Sequence, residues 1–135
     1  MADIAQLQKM RENVFSDGMA SLSVRKDRLL RLRKALLNHE QALNTALHQD
    51  LRKSREEVWA SEIGMVIAEL NEAIGSLKKW MAPKRVGTNF LNWPSKSYLY
   101  NEPLGLVLII APWNYPVQLL FNPLIGALAA GNLAV

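Results

Sequence analysis

LVLIIAPWNYPVQLLFNPLIGALAAGNLAV, Leu106 to Val135, is the stretch whose reading decides the fold. Leu106 to Ile110 is a continuous apolar run suited to a strand buried on both faces. After Pro112-Trp113-Asn114-Tyr115 the pattern turns helical. Pro116 is well placed for the first helical position, and Gly131-Asn132 are suited to end the helix. Asn122-Pro123 inside it predicts a kink, and Leu133 to Val135 restarts a strand-like run. Strand, short loop, helix, tight turn, strand is one crossover unit of a parallel α/β sheet. In such sheets ligands collect at the carboxyl ends of the strands, and the loop at that end carries Asn114. Two jobs fit this asparagine. Its amide can donate a hydrogen bond to a carbonyl oxygen that is gaining negative charge, or it can cap the helix that Pro116 opens, which on spacing alone is the commoner use.

Residues 1–82 have helical periodicity in three pieces. The first, Asp3 to Phe15, places Ile4, Leu7, Met10 (or Arg11) and Val14 on one face and stops near Ser16-Asp17-Gly18. The second starts at Ser21 or Ser23, either of which can cap it. It sets Leu29, Leu32, Leu36, Leu43, Leu47 and Leu51 on a common stripe. The third opens at Ser54-Arg55-Glu56-Glu57, a capping-box pattern. It repeats Trp59, Ile63, Val66, Leu70, Ile74, Leu77 and Met81 until Ala82-Pro83 stops it. Trp59 and Trp80, lying on that stripe, read as core. Two long amphipathic helices need something to cover besides each other. From Pro83 to Pro94 the chain reads as an irregular connector, and Ser97 to Tyr100 alternates like a half-buried strand. The expected organisation is a helical part over 1–82, a connector with an edge strand over 83–105, and the start of a Rossmann-like unit over 106–135.

Composition limits the function. The 135 residues include 16 Lys+Arg against 12 Asp+Glu and no cysteine, so no disulfide, thiolate zinc site or cysteine nucleophile can come from them. His39 and His48 are nine apart without cysteine partners, so no metal site is expected. The cluster Arg25, Lys26, Arg28, Arg31, Arg33 and Lys34 surrounds its helix without aromatic interleaving. It reads as a solvated surface rather than a nucleic-acid interface. The N-terminus lacks the apolar core and cleavage site of a secretory leader, so a cytoplasmic location is expected. No Asp, Glu, Lys, Arg or His occurs from Pro103 to Val135, which admits a rival: a membrane-associated or helical interaction protein using the uncharged 103–135 segment. Three prolines and three asparagines divide that run into pieces too short to span. Gly126 and Gly131 are too loosely spaced for a dinucleotide fingerprint.

Glu102-Pro103-Leu104-Gly105 followed by LVLIIAPWNYP, and then Asn122-Pro123-Leu124-Ile125-Gly126-Ala127-Leu128-Ala129-Ala130-Gly131-Asn132, resembles the N-terminal part of NAD(P)-dependent aldehyde dehydrogenases. The tyrosine in WNYP and the EPLG lead-in are similar to the class 3, fatty-aldehyde branch. The similarity extends upstream through Ala46 to Ser54 and the helix beginning at Glu56. It implies an α/β fold in which long N-terminal helices precede the first strands of a Rossmann-like parallel sheet, an incomplete cofactor domain. It also implies that Asn114 is the oxyanion donor, that the backbone of Ile110, Ala111, Pro112 and Trp113 lines the nicotinamide end of a cleft for NAD or NADP, and that the Ser97–Tyr100 strand lies at the interface of a homo-oligomer. The family reaction requires a cysteine that forms a thiohemiacetal with the aldehyde and a glutamate base for thioester hydrolysis. Those 135 residues lack the nucleophile, so they are expected to be inactive alone, with neither nucleic acid nor membrane as partner.

Overall fold

The order predicted from Leu106 onward forms, and the upstream helices pack around its helix. The computed structural model describes residues 3–16 and 19–135. Helix α1 covers Ile4–Ser16, with Ile4 exposed and Leu7 and Met10 partly covered. The side chains of Arg11 and Val14, and the stop expected at Asp17-Gly18, lie outside the described residues. Helix α2 covers Leu22–Asn38, and Ser21 is its cap, accepting from the Val24 N–H at 3.4 Å. The single second helix expected through Leu51 is in fact two. The chain breaks at His39, whose ring Nδ1 meets the Ala35 carbonyl at 2.8 Å, and α3 runs Glu40–Leu51. Leu29, Leu36 and Leu47 are buried across this bend, while Leu51 is exposed.

Ser54 caps the next helix as predicted, accepting from the Glu57 N–H at 3.2 Å. That helix has three stretches: α4 (Arg55–Val58), a π turn (Trp59–Ile63) and α5 (Gly64–Met81). The wide turn requires Gly64, because a Cβ there would lie 2.5 Å from the Trp59 carbonyl oxygen. It carries Glu62 and Ile63 inward and turns Trp59 out, leaving Trp59 47% exposed. The expectation that Trp59 and Trp80 are core is therefore corrected, since Trp80, at the end of α5, is 39% exposed as well. Ala82 is extended before Pro83, which ends the helix where the sequence places the stop.

The missing cover for the long helices is α6, Pro116–Ala130, which packs on both α2 and α5. Leu29, Ile63, Val66, Leu70 and Leu77 meet Ile125 in one buried cluster. Each such side chain contributes roughly 2 kcal/mol relative to exposure. Pro123 withholds one donor, and α6 continues through it without a break. On either side of α6's crossover, β3 (Leu106–Val107) pairs in parallel with β4 (Leu133–Ala134), in the register Leu106↔Leu133 and Val107↔Ala134. The Ile109 N–H extends the ladder to the Val135 carbonyl at 2.8 Å. The buried five-residue strand expected at Leu106–Ile110 is shorter, and Leu108 and Ile110 are exposed. Among the described residues β3 has β4 as its only neighbour, and a strand is covered on both faces only inside a wider sheet.

The connector expected at Pro83–Pro94 is partly a hairpin arm. Strand β1 (Lys84–Val86) pairs antiparallel with β2 (Ser97–Leu99). Thr88 Oγ1 closes the arm, accepting from the Ser97 N–H and donating to Ser97 Oγ, both at 3.0 Å. The strand at Ser97–Tyr100 is real but not half-buried, because Tyr98, Leu99 and Tyr100 are exposed. The rival reading of 103–135 as a membrane segment is not supported. That run is divided among strand, loop, a helix of 15 residues and strand, and among the described residues no helix is long and apolar enough to cross a membrane.

Candidate functional site

The loop from Ile110 to Tyr115 leaves β3 at its carboxyl end and enters α6. Its exit is fixed by Pro116 at the first helical turn, where a missing N–H costs nothing. A helix opening there leaves its first N–H groups without internal partners. The residue at the cap position is Tyr115, and no side chain of the loop itself fills the role. Glu62 does so from the π turn. Its Oε2 accepts from the Val117 N–H at 2.9 Å and the Gln118 N–H at 3.1 Å. A carboxylate at this end also faces the positive end of the α6 dipole.

Glu62 is fully buried, and a buried carboxylate needs a cation. Lys53, itself only 7% exposed, donates from Nζ to Glu62 Oε1 at 2.6 Å and to the main-chain carbonyl of Asn114 at 2.9 Å. The same ammonium lies 3.8 Å from the centre of the Tyr115 ring, a cation–π contact. All of Glu62's oxygens are engaged and Lys53 is satisfied on several sides, which is the condition under which a buried ion pair is tolerated. Lys53 is delivered by a tight turn between helices. Arg52 caps α3 in the left-handed conformation at φ 57°, Ser54 caps α4, and His48 Nδ1 meets the Lys53 carbonyl at 3.1 Å.

With the capping done by Glu62, the side chain of Asn114 is left exposed and makes no hydrogen bond to the described residues. The sequence left two jobs open for this amide, and the structure removes the helix cap. Ile110 and Trp113 are 84% and 87% exposed, and Pro112 is exposed beside them. The peptide groups of Ile110, Ala111 and Trp113 have no partner among the described residues. The loop thus offers one amide side chain and several free main-chain groups on a braced scaffold. Lys53 and Glu62 escaped the sequence reading. The available signal was an acid placed inside an otherwise apolar stripe, beside Ile63.

The other end of α6 is closed as thoroughly. Gly131 is left-handed at φ 91°, its N–H meets the Leu128 carbonyl at 3.1 Å, and the Asn132 N–H meets the Ala127 carbonyl at 2.9 Å. This is a Schellman ending. The two remaining carbonyls, Ala129 and Ala130, accept from Arg25 Nη1 at 3.1 and 2.7 Å. Arg25 is therefore buried structural machinery, which corrects its place in a solvated basic cluster. Burial and the neighbouring Arg28 lower its pKa from the ordinary value, and a guanidinium starts so high that it stays charged. Asn132 Oδ1 accepts from the Gly105 N–H at 2.8 Å, tying the turn to the start of β3.

A parallel strand–helix–strand unit with the Asn114 loop at the carboxyl end of its first strand is an α/β arrangement, and in open α/β sheets ligands bind at this edge. The sequence profile of the aldehyde dehydrogenase family matches residues 7–135, and the chain belongs to that family. It is 47% identical over 114 residues to the 4,4'-diaponeurosporen-aldehyde dehydrogenase of Staphylococcus aureus, an alignment covering 84% of this chain and 25% of the relative. It is 41% identical over 129 residues to aldehyde dehydrogenase family 3 member B1 of Bos taurus, covering 96% and 28%. The resemblance to the class 3 branch fits this relationship. The solved substrate-bound state of Staphylococcus aureus AldH superposes with a TM-score of 0.92 at 42% identity, covering 99% of this chain and 30% of that one. The chain spans about a quarter of the length of these curated relatives.

Proposed function

We propose that this chain supplies the oxyanion donor and one wall of the cofactor cleft in an enzyme that oxidises aldehydes to carboxylic acids. The observation that carries the reading is that Asn114 is relieved of helix capping by Glu62 while its main chain is held by Lys53. In the complete enzyme a cysteine thiolate attacks the aldehyde carbonyl, and the oxygen becomes negative as the thiohemiacetal forms. The Asn114 amide donates to that oxygen and, being neutral, brings no charge of its own to be desolvated. NAD or NADP, when bound, supplies the hydride acceptor. The free peptide groups of Ile110, Ala111 and Trp113, with the exposed Trp113 ring and Pro112, fit the polar and aromatic end of such a cofactor. Exposed Tyr98 and Leu99 on β2, with Tyr100 just past its end, support an interface with a second copy in a homo-oligomer. The location proposed is the cytoplasm.

The test is a pair of substitutions in the complete enzyme. Asn114→Ala is expected to lower the rate of the acylation step about a hundredfold or more, with little change in cofactor affinity or stability. Asn114→Asp is expected to be at least as damaging, because a carboxylate repels the developing oxyanion. Near-normal turnover by a well-folded Asn114→Asp enzyme would sink the reading. The 135-residue chain by itself, having no cysteine, is expected to give no aldehyde-dependent reduction of NAD(P)+.

A further inference from the structure

We infer that Lys53 and Glu62 are positioning residues for the oxyanion donor: a buried tether that fixes the Asn114 peptide, and through it the direction in which the amide side chain points. The inference rests on the proposed role of Asn114. From Ile110 to Trp113 no hydrogen bond to the described residues restrains the peptide groups on the approach to Asn114. Among the described residues the carbonyl of Asn114 receives only Lys53 Nζ, at 2.9 Å. The Cα of a residue whose carbonyl is held, and whose chain enters a capped helix two residues later, has little freedom to swing. Its side chain inherits that restraint.

The chemistry explains why the tether is an ion pair rather than a neutral bond. The donor must satisfy an acceptor on the loop and also be held from the protein side, so it needs at least two hydrogen bonds and a stem long enough to reach both. Lysine has three donors on a four-carbon stem. The acceptor on the protein side must also cap α6, so it needs two oxygens with separate tasks. Glu62 divides them, Oε1 to Lys53 and Oε2 to Val117 and Gln118. One buried pair thereby connects the helix start to the residue two positions before it. Displacing a catalytic donor by about 1 Å costs on the order of a hundredfold in rate, so a tether of this kind has a kinetic signature separate from stability.

The experiment uses the complete enzyme and the double variant Lys53→Met with Glu62→Gln. Replacing both residues leaves no unpaired buried charge. The amide oxygen introduced by Glu62→Gln can still accept from Val117 and Gln118, so the cap survives while the bond to Asn114 is gone. The single-turnover rate of NAD(P)H formation is expected to fall tenfold to a hundredfold, about the range for a misplaced donor, with cofactor affinity unchanged. Adding Asn114→Ala to this background is expected to cost under about tenfold more, because the donor is already misplaced and the two losses share one cause. By hydrogen exchange, Val117 and Gln118, whose N–H groups are held by the residue-62 side chain, should stay as slow as in the parent. A parental rate in the double variant, or a loss that multiplies in full with that of Asn114→Ala, would overturn the tether. If Asn114→Ala in the parent background leaves the rate unchanged, the oxyanion reading itself has failed and the tether falls with it. That result is distinguishable because it needs no change at Lys53 or Glu62.

Discussion

The two ends of α6 are both closed by a charged side chain from another helix, and they differ in what they leave open. At the carboxyl end Arg25, Gly131 and Asn132 are all buried and every one of the last four carbonyls has a donor. At the amino end Glu62 and Lys53 are equally buried, but the loop they hold is exposed, and so is Asn114. One end is finished and the other is presented. The difference teaches that rigidity and exposure need not oppose each other: a loop can face outward and still be fixed if its anchors lie in the core.

The comparison can be broken most severely at the amino end. Glu62→Ala leaves a buried lysine without its carboxylate and two helix N–H groups without an acceptor, and is expected to cost about 3–5 kcal/mol in denaturant unfolding. A cost below about 1 kcal/mol would mean that the pair is not buried as described. At the carboxyl end, Gly131→Ala would force a side chain into φ 91° and place its Cβ 2.6 Å from Arg25 Cζ. The expected cost is about 2–3 kcal/mol, and a thermal midpoint equal to the parent's would show that Arg25 does not approach α6 so closely. The smallest effect is at a helix start that caps itself. Ser54→Ala is expected to cost about 1 kcal/mol. The Glu56 carboxyl is held below its ordinary pKa, chiefly by its own backbone N–H and then by the Ser54 hydroxyl. A carboxyl with a depressed folded pKa contributes stability that is present above its unfolded pKa and lost as pH falls through the folded value. Ser54→Ala should therefore flatten the acid limb of the stability profile, and an unchanged limb would show that the hydroxyl does not act on Glu56.

What could be read in the sequence follows the same division. Ser54, Pro116, Gly131 and the stop at Ala82-Pro83 were legible because a cap or a breaker acts on residues within a turn of itself. Glu62 lies 55 residues from Val117, and Arg25 lies 105 from Ala130. No local pattern announces partners at that distance, and Arg25 was hidden among neighbours that do face solvent. The strand Lys84–Val86 was missed for a related reason, since its partner follows an intervening turn that carries the punctuation of a loop. Trp59 was misplaced because the stripe was counted at a constant 3.6 residues per turn, a count that the π turn interrupts. Asn114 is the instructive case. Both of its candidate jobs were visible, but that the helix start is capped by Glu62, 55 residues from Val117, was not.

The π turn at Trp59–Ile63 also sets a phase. A helix with one extra residue in a single turn carries everything on one side of it about 100° out of step with an uninterrupted α-helix. That offset sets the direction of α4, and of the Lys53 turn that precedes it, relative to the core stripe of α5. Losing a single residue there, for example exposed Ala60, would wind the turn to ordinary pitch without removing any contact residue. It would swing α4, with the Lys53 turn attached to it, around the helix axis relative to α5. Length at this one place works as an angular setting, and a change invisible to composition or hydropathy would unlatch the loop.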